Sequence, residues 1–232
     1  MGVVTDIVNQ IDRSAEKRKE LGETLDLLVS LAEAKAVHCQ NVIEDNLKLG
    51  RVAGNDAIFF PITHIAEKRV QYRYTTTDTP KDLTPAIVNS ITEMFEDHTG
   101  ETIIHGIATT INESLKVLLG AGEGTEQDSQ IYTAELEGSG IAMRFVRTDF
   151  MFWCKKITAS SLKSEMDSIL TCVAYKSVIE VSKIKFDDFR DVYSEVINKG
   201  IPDTVSREER KEMITECIQE AKEIFEMLGG KL

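Results

Sequence analysis

Apolar positions recur at three- and four-residue spacing through most of the first fifty residues. Leu21, Leu25, Leu28, Ala32, Ala36, Cys39, Ile43 and Leu47 form one series, the pattern of a helix that buries one face. A second series, Val4, Ile7, Val8, Ile11 and Ala15, lies upstream of Gly22. The spacing predicts either one helix of about forty residues, roughly 60 Å long, or two helices broken near Gly22. Gly50 and the following RVAGND end the helical pattern in both cases.

The period then shortens. RVQYRYTTT alternates, with Val70, Tyr72 and Tyr74 on one face and Gln71, Arg73 and Thr75 on the other, and predicts a strand. Thr84 and Pro85 suit a helix start; Ile87, Ile91, Met94 and Phe95 follow on one face, and Gly100 ends the segment. ETIIHGIATTINESLKVLLG is the most apolar helix expected in the chain. Ile103, Ile104, Ile107, Ala108, Ile111, Leu115, Leu118 and Leu119 line one side; His105, Thr109, Asn112, Glu113 and Lys116 line the other. Such a stripe is amphipathic, whereas a membrane span needs about 20 mainly apolar residues.

Gly120, Gly122 and Gly124 crowd the end of that helix. A phosphate-cradling glycine loop lies between a strand and a following helix, so that helix N-terminal amides meet the anion. Here the order is reversed, and Glu123 and Glu126 would repel a phosphate. The glycines are therefore expected to end the helix, with Gly120 left-handed and the rest an acidic loop. IYTAELE and IAMRFVRTDFMFW flank Gly138-Ser139-Gly140 and predict a hairpin. ASSLKSEMDSILTCVAYKSVIEV returns to helical spacing through Leu162, Met166, Ile169, Leu170, Val173, Ser177 and Val181, with Ser160 or Ser161 as cap. Its β-branched later half also fits a strand; the helix is preferred. FDDFRDVYSEVINKG and the segment after Ser206 complete the helices, the latter opened by a Ser206/Glu209 capping box.

The expected fold class is α+β: predominantly helical, with long amphipathic helices packed around a small antiparallel sheet of at least three strands. A single domain over 1–232 is expected, with an N-terminal helical region at 1–49, a mixed helix and hairpin region at 57–153, and a C-terminal helical region at 160–232.

Charge and cysteine content narrow the setting. The 232 residues carry a formal charge of −12, and no basic cluster exists of the kind that releases counterions from nucleic acid. No nucleic-acid partner is expected. Cys39, Cys154, Cys172 and Cys217 form no CxxC pair and sit among apolar neighbours, as free buried thiols do. The first residues, MGVVTDIVNQIDRS, show no Sec-type signal. The expected location is the cytoplasm, or export by a route without such a signal. Gly2 is followed by Thr5 and Asp6, which misses the myristoylation pattern by one place.

Little in the chain points to catalysis. The four histidines, His38, His64, His98 and His105, form no HExxH, and neither metal nor cofactor is expected. Cys154 precedes Lys155 and Lys156, the setting that best favours a thiolate, but no histidine lies nearby in sequence. No GxSxG occurs. Asp149, between Arg147 and a run of aromatics, is read as a salt-bridge partner of Arg144 or Arg147. Cys172, in ILTCVAY, is a candidate for S-acylation.

Two functions from different classes fit. The preferred one is a non-enzymatic binding protein acting through its amphipathic helices by protein partnership or self-association, and toward lipid or membrane on conformational change, as in toxin-like proteins. Ile103, Ile107, Ile111 and Leu115 are its membrane-facing candidates. The alternative is an enzyme or small-ligand binder with an apolar pocket lined by Phe150, Phe152, Trp153 and Tyr175, with Arg144, Arg147 and Asp149 at its mouth.

Overall fold

The computed structural model describes residues 15–52, 55–75, 85, 87–91, 93–95, 100–120, 124–139, 142–157 and 168–232. The upstream apolar series from Val4 to Ile11, the Thr84 cap, His98, Gly122, and the 158–167 segment with its serine caps lie outside the described residues.

The first element is a single helix, α1 (Ala15–Lys48), which runs through Gly22 without a break. Gly50 ends it with a φ of 65°. At that conformation only glycine is unstrained, and an added Cβ would also lie 2.5 Å from the Phe59 ring. A short hairpin of β1 (Arg51–Val52) and β2 (Asn55–Phe59) follows. The chain then enters β3 (Ile62–Thr75), a strand of 14 residues.

Beyond α2 (Glu101–Leu119), three strands run in succession: β4 (Glu126–Glu137), β5 (Arg144–Lys156) and β6 (Ser168–Ile179). They form a four-stranded antiparallel sheet in the order β3-β6-β5-β4, so the first long strand closes on the last. Gly138, at φ 105°, opens the β4–β5 turn, where a side chain would strike the Ala142 carbonyl. Helices α3 (Phe186–Gly200) and α4 (Arg207–Met227) complete the chain, and the Ser206/Glu209 capping box is formed in full.

This architecture corrects the expected fold class. The chain mixes α and β, but it is not a predominantly helical protein around one small sheet. The strands of the main sheet hold 14, 12, 13 and 12 residues, about twice the usual length, and a separate two-stranded sheet accompanies them.

The largest local correction is residues 168–179, expected as helix and found as strand β6. The strand lies between β3 and β5 and is buried on both sides, every residue from Ser168 to Ser177 included. A strand covered on both faces loses its alternation and reads as a continuous apolar run, which periodicity cannot tell from a helix. The C-terminal region is therefore not wholly helical. Gly120 is a smaller correction: it stays right-handed at φ −78°, its N–H still bonded back to Lys116, and the positive φ of 72° falls at Gly124.

Side chains alternate across the sheet and divide the core in two. One side of β5 and β6 carries Met151, Trp153, Ile169, Val173 and Tyr175, packed on Ala32, Ala36, Cys39, Ile43 and Leu47 of α1. The opposite side carries Phe150, Phe152, Cys154, Leu170, Cys172 and Ala174, packed with α2, α3, α4 and residues 87–95. This second cluster also takes in Leu136 of β4, Phe145 of β5, Val52 of β1 and Phe60.

Candidate functional site

On the α2 side of the sheet, Ile103, Ile107, Ile111, Leu115 and Leu118 of α2 are between 0% and 8% exposed. Five of the eight stripe positions read from the sequence are thus turned inward, while Ile104, Ala108 and Leu119 are half-buried. The Ser114 hydroxyl, in the same stripe, pairs with the Ser129 hydroxyl of β4 at 2.7 Å and ties the helix to the edge strand. His105, Glu113, Lys116 and Val117 remain exposed.

Helix α3 crosses α2 at backbone contact. A Cβ on Gly106 would lie 1.9 Å from the Val196 carbonyl oxygen, and one on Gly200 would lie 1.8 Å from that of Thr102. Paired glycines are what such a crossing requires, since any side chain would push the helices apart. Lys199 of α3 reaches Glu113 of α2 at 3.1 Å at the rim of the crossing. Aromatic contacts tie α3 to both neighbours: Phe189 meets Phe145 of β5 at 4.2 Å between centroids, and Phe186 meets Phe225 of α4 at 5.1 Å.

Beneath α3 lies a group that the sequence reading missed. Glu135 and Glu137 project from β4 on the α2 side, 0% and 2% exposed. Glu137 takes the available cations: Lys176 Nζ donates to its Oε1 at 2.6 Å, and Arg144 Nε donates to its Oε2 at 2.8 Å. Burial pushes its acidity toward the neutral form, but those two donors outweigh burial and hold the carboxyl below its ordinary range. Glu135 receives the Thr148 hydroxyl at 2.7 Å, while its Oε2 and the nearby Thr133 hydroxyl are left without a formed hydrogen bond. Burial outweighs Thr148, Thr133 and the charge of Lys176, which favour its ionised form. Burial pushes this carboxyl up to about 8. Lys176 is itself fully committed, donating also to the Met94 carbonyl at 2.5 Å and lying over the Phe95 ring.

The signals for this cluster were present but faint. Glu135 and Glu137 alternate with Ala134 and Leu136, a pattern that reads as a solvent face. Lys176 stands alone in the buried run CVAYKSV, and a lone cation in such a run must find a carboxylate.

The expected pocket residues do not converge on one cavity. Phe150 and Phe152 stack on each other on the α2 side, with centroids 6.4 Å apart. Trp153 and Tyr175 face α1. Arg147 and Asp149 lie on that same side, both 0% exposed, and form the ion pair expected for Asp149 at 2.5 Å. Burial pushes Asp149 up, with Arg147 opposing. Arg144 stands at the rim on Glu137. An open cleft of about 500 Å³ takes in Trp153 but is walled by Glu126, Gln127 and Asp128.

Cys172 lies in the central strand at 2% exposure, and burial pushes its thiol far above the ordinary range. It is a core residue of a strand, where the sequence reading placed it on the apolar side of a helix. Burial also raises Cys39 to about 11 and Cys217 by a smaller step, both helped by neighbouring acids, so these thiols are kept from the nucleophilic thiolate form. Cys154 is 2% exposed.

The α1 side is held differently. Trp153 Nε1 donates to Glu126 at 2.9 Å, Lys35 of α1 meets the same carboxylate at 2.6 Å, and its ammonium lies 5.6 Å from the indole centre. Farther along, Tyr175 donates to Glu44 of α1 at 2.6 Å while Lys68 of β3 approaches both. Ala32 and Ala36, on either side of Lys35 along α1, let the helix backbone approach closely enough for Thr171 to donate to the Ala32 carbonyl.

Among the described residues no group of three or more His, Cys, Asp or Glu is placed to hold a metal ion, and no helix is long and apolar enough to cross a membrane. The chain matches no protein-family model and no curated protein.

Proposed function

We propose that this is a non-enzymatic binding protein that works by releasing its α2–α3 layer from the sheet, with a lipid bilayer as the receiving partner of α2. The observation that carries the reading is the isoleucine and leucine stripe of α2, buried against the sheet from Ile103 to Leu118. Its opposite side is charged and exposed. A helix of this make lies equally well in the interface of a bilayer, apolar side down. Burying five such side chains is worth on the order of 10 kcal/mol, an upper figure. The bilayer returns a gain of similar kind, so the exchange is close to balanced and a modest trigger can tip it.

The attachments suit release as a unit. Gly106 and Gly200 bind α2 to α3, while the Ser114–Ser129 hydroxyl pair links α2 to the sheet by a polar side-chain contact. A chain of charge −12 is repelled by anionic lipid, so the favoured surface is zwitterionic.

The test is a reversible lock. Ser114→Cys with Ser129→Cys places two thiols where hydroxyls already touch, within reach of a disulfide. Wild type is expected to release dye from phosphatidylcholine vesicles, the oxidised variant to fail, and reductant to restore release. Equal release by the oxidised and reduced forms would defeat the reading.

A further inference from the structure

We propose that Glu135 is a proton-operated latch: with Glu137 beneath Lys176, it lies where β4 meets α3, holding the helical layer when its carboxyl carries a proton and loosening it when ionised. The inference deepens the function proposed above by supplying its trigger, and it rests on that reading for its purpose though not for its test.

The geometry makes the two carboxyls unequal. All the charged donors in reach are spent on Glu137, which holds Lys176 at 2.6 Å on one oxygen and Arg144 on the other. Glu135 has neutral hydroxyls only, Thr148 bonded and Thr133 close by, and one oxygen with no formed bond at 0% exposure. Ionised in that place, it would be a second buried anion beside Glu137 with no cation of its own, an arrangement that costs far more than a buried neutral acid.

Every element around it contributes to the balance. Glu137 comes from the same strand, Thr148 and Arg144 from β5, and Lys176 from β6. Glu67 of β3 stands 3.8 Å from Lys176 and competes for it. The Met94 carbonyl takes another of its protons. Tyr193 of α3 is raised chiefly by burial, then by Cys217 and Glu220 of α4 and by Glu135 itself. Arg69 holds Glu67 at 2.8 Å, so every cation around Glu135 already has a carboxylate partner other than Glu135. Inside the closed layer an ionised Glu135 is relieved only in part, by the Thr148 and Thr133 hydroxyls and the shared Lys176; opening of the layer beside Tyr193 adds water.

The sign follows from the raised pKa. Below the ordinary carboxylate value of 4.5 the group is protonated whether the layer is closed or open, and no penalty exists. As pH rises from there toward about 8, the open form ionises first and closure weakens, by about tenfold per pH unit. Above that value the effect is complete. The closed layer is firm in acid and loose in mild alkali.

Hydrogen exchange of α2 and α3 amides, corrected for base catalysis and measured at intervals from acid to mildly alkaline pH without lipid, reads the latch directly. Wild-type protection of the layer should fall across that window by roughly three-thousandfold at most, and Glu135→Gln, neutral at every pH, should remove the slope. A slope absent from wild type, or unchanged in Glu135→Gln, overturns the proposal. Should Glu135→Gln fail to fold, carbon-13 titration of the Glu135 carboxyl in wild type decides: a midpoint near 8 supports the latch, one near 4 refutes it. Because no vesicle is present, a slope without dye release would leave the latch standing and the membrane reading fallen; release without a slope would do the reverse.

Discussion

The two sides of the sheet bury helices by opposite means. On one side α1 lies on small residues, Ala32, Ala36 and Cys39, and is fixed at intervals by cation, aromatic ring and carboxylate, Lys35–Trp153–Glu126 and Lys68–Tyr175–Glu44. On the other, α2 is held by a deep apolar stripe and by a glycine crossing with α3, above a buried acid that has no cation of its own. Rim clamps are partly exposed, worth little each and screened by salt. Packing of the second kind is worth more, ignores salt and responds to protons. The same sheet therefore carries one layer that answers to ionic strength and another that answers to pH.

That contrast is sharpest where backbone meets backbone. Gly200→Val puts a branched side chain against the Thr102 carbonyl, and it is expected to lower stability by about 3 kcal/mol or more. The urea midpoint should drop while the slope stays that of a two-state chain. Next in size is Ile107→Ala, which leaves a cavity at a fully buried site and is expected to cost about 3 kcal/mol by the same measurement, unchanged by added salt. An Ile107→Ala cost near zero would mean that the stripe is not packed as described.

On the α1 side the expected effects shrink. Tyr175→Phe removes the hydroxyl that Glu44 accepts, at a cost of about 1 kcal/mol. Glu44 is held below its ordinary range first by that hydroxyl, with Lys68 assisting and burial opposing, so the variant should also bring its carboxyl titration upward. Smallest is Lys35→Met. Its ammonium and Glu126 are each about a third exposed, so the loss should stay below about 1 kcal/mol and vanish in concentrated salt. A larger, salt-independent loss would erase the distinction between the two layers.

How much of this was legible follows from how many sides of each segment meet water. Helix α2 and the exposed-edged α1 each keep a polar side, so their periodicity shows in the sequence, and Gly50 and the Ser206/Glu209 box marked their neighbours' ends. Strand β6 keeps none, and its 168–177 run reads as helix as readily as strand. The expected aromatic pocket failed for a related reason: Phe152 and Trp153 are adjacent in sequence and so face opposite sides of a strand. Glu135 and Glu137 look like a solvent face until the sheet order shows that α3 and Lys176 cover them, a relation between β4, β6 and α3 that no local pattern carries.

The central claim is that α2 and α3 leave the sheet together while α1 stays. Two spin-label pairs in a Cys217→Ser background test it, all on exposed positions: Lys116→Cys with Gln127→Cys across α2 and β4, and Lys116→Cys with Glu195→Cys across α2 and α3. On adding phosphatidylcholine vesicles, the first distance is predicted to lengthen and the second to hold. Vesicle binding with the α2–β4 distance unchanged would contradict the account.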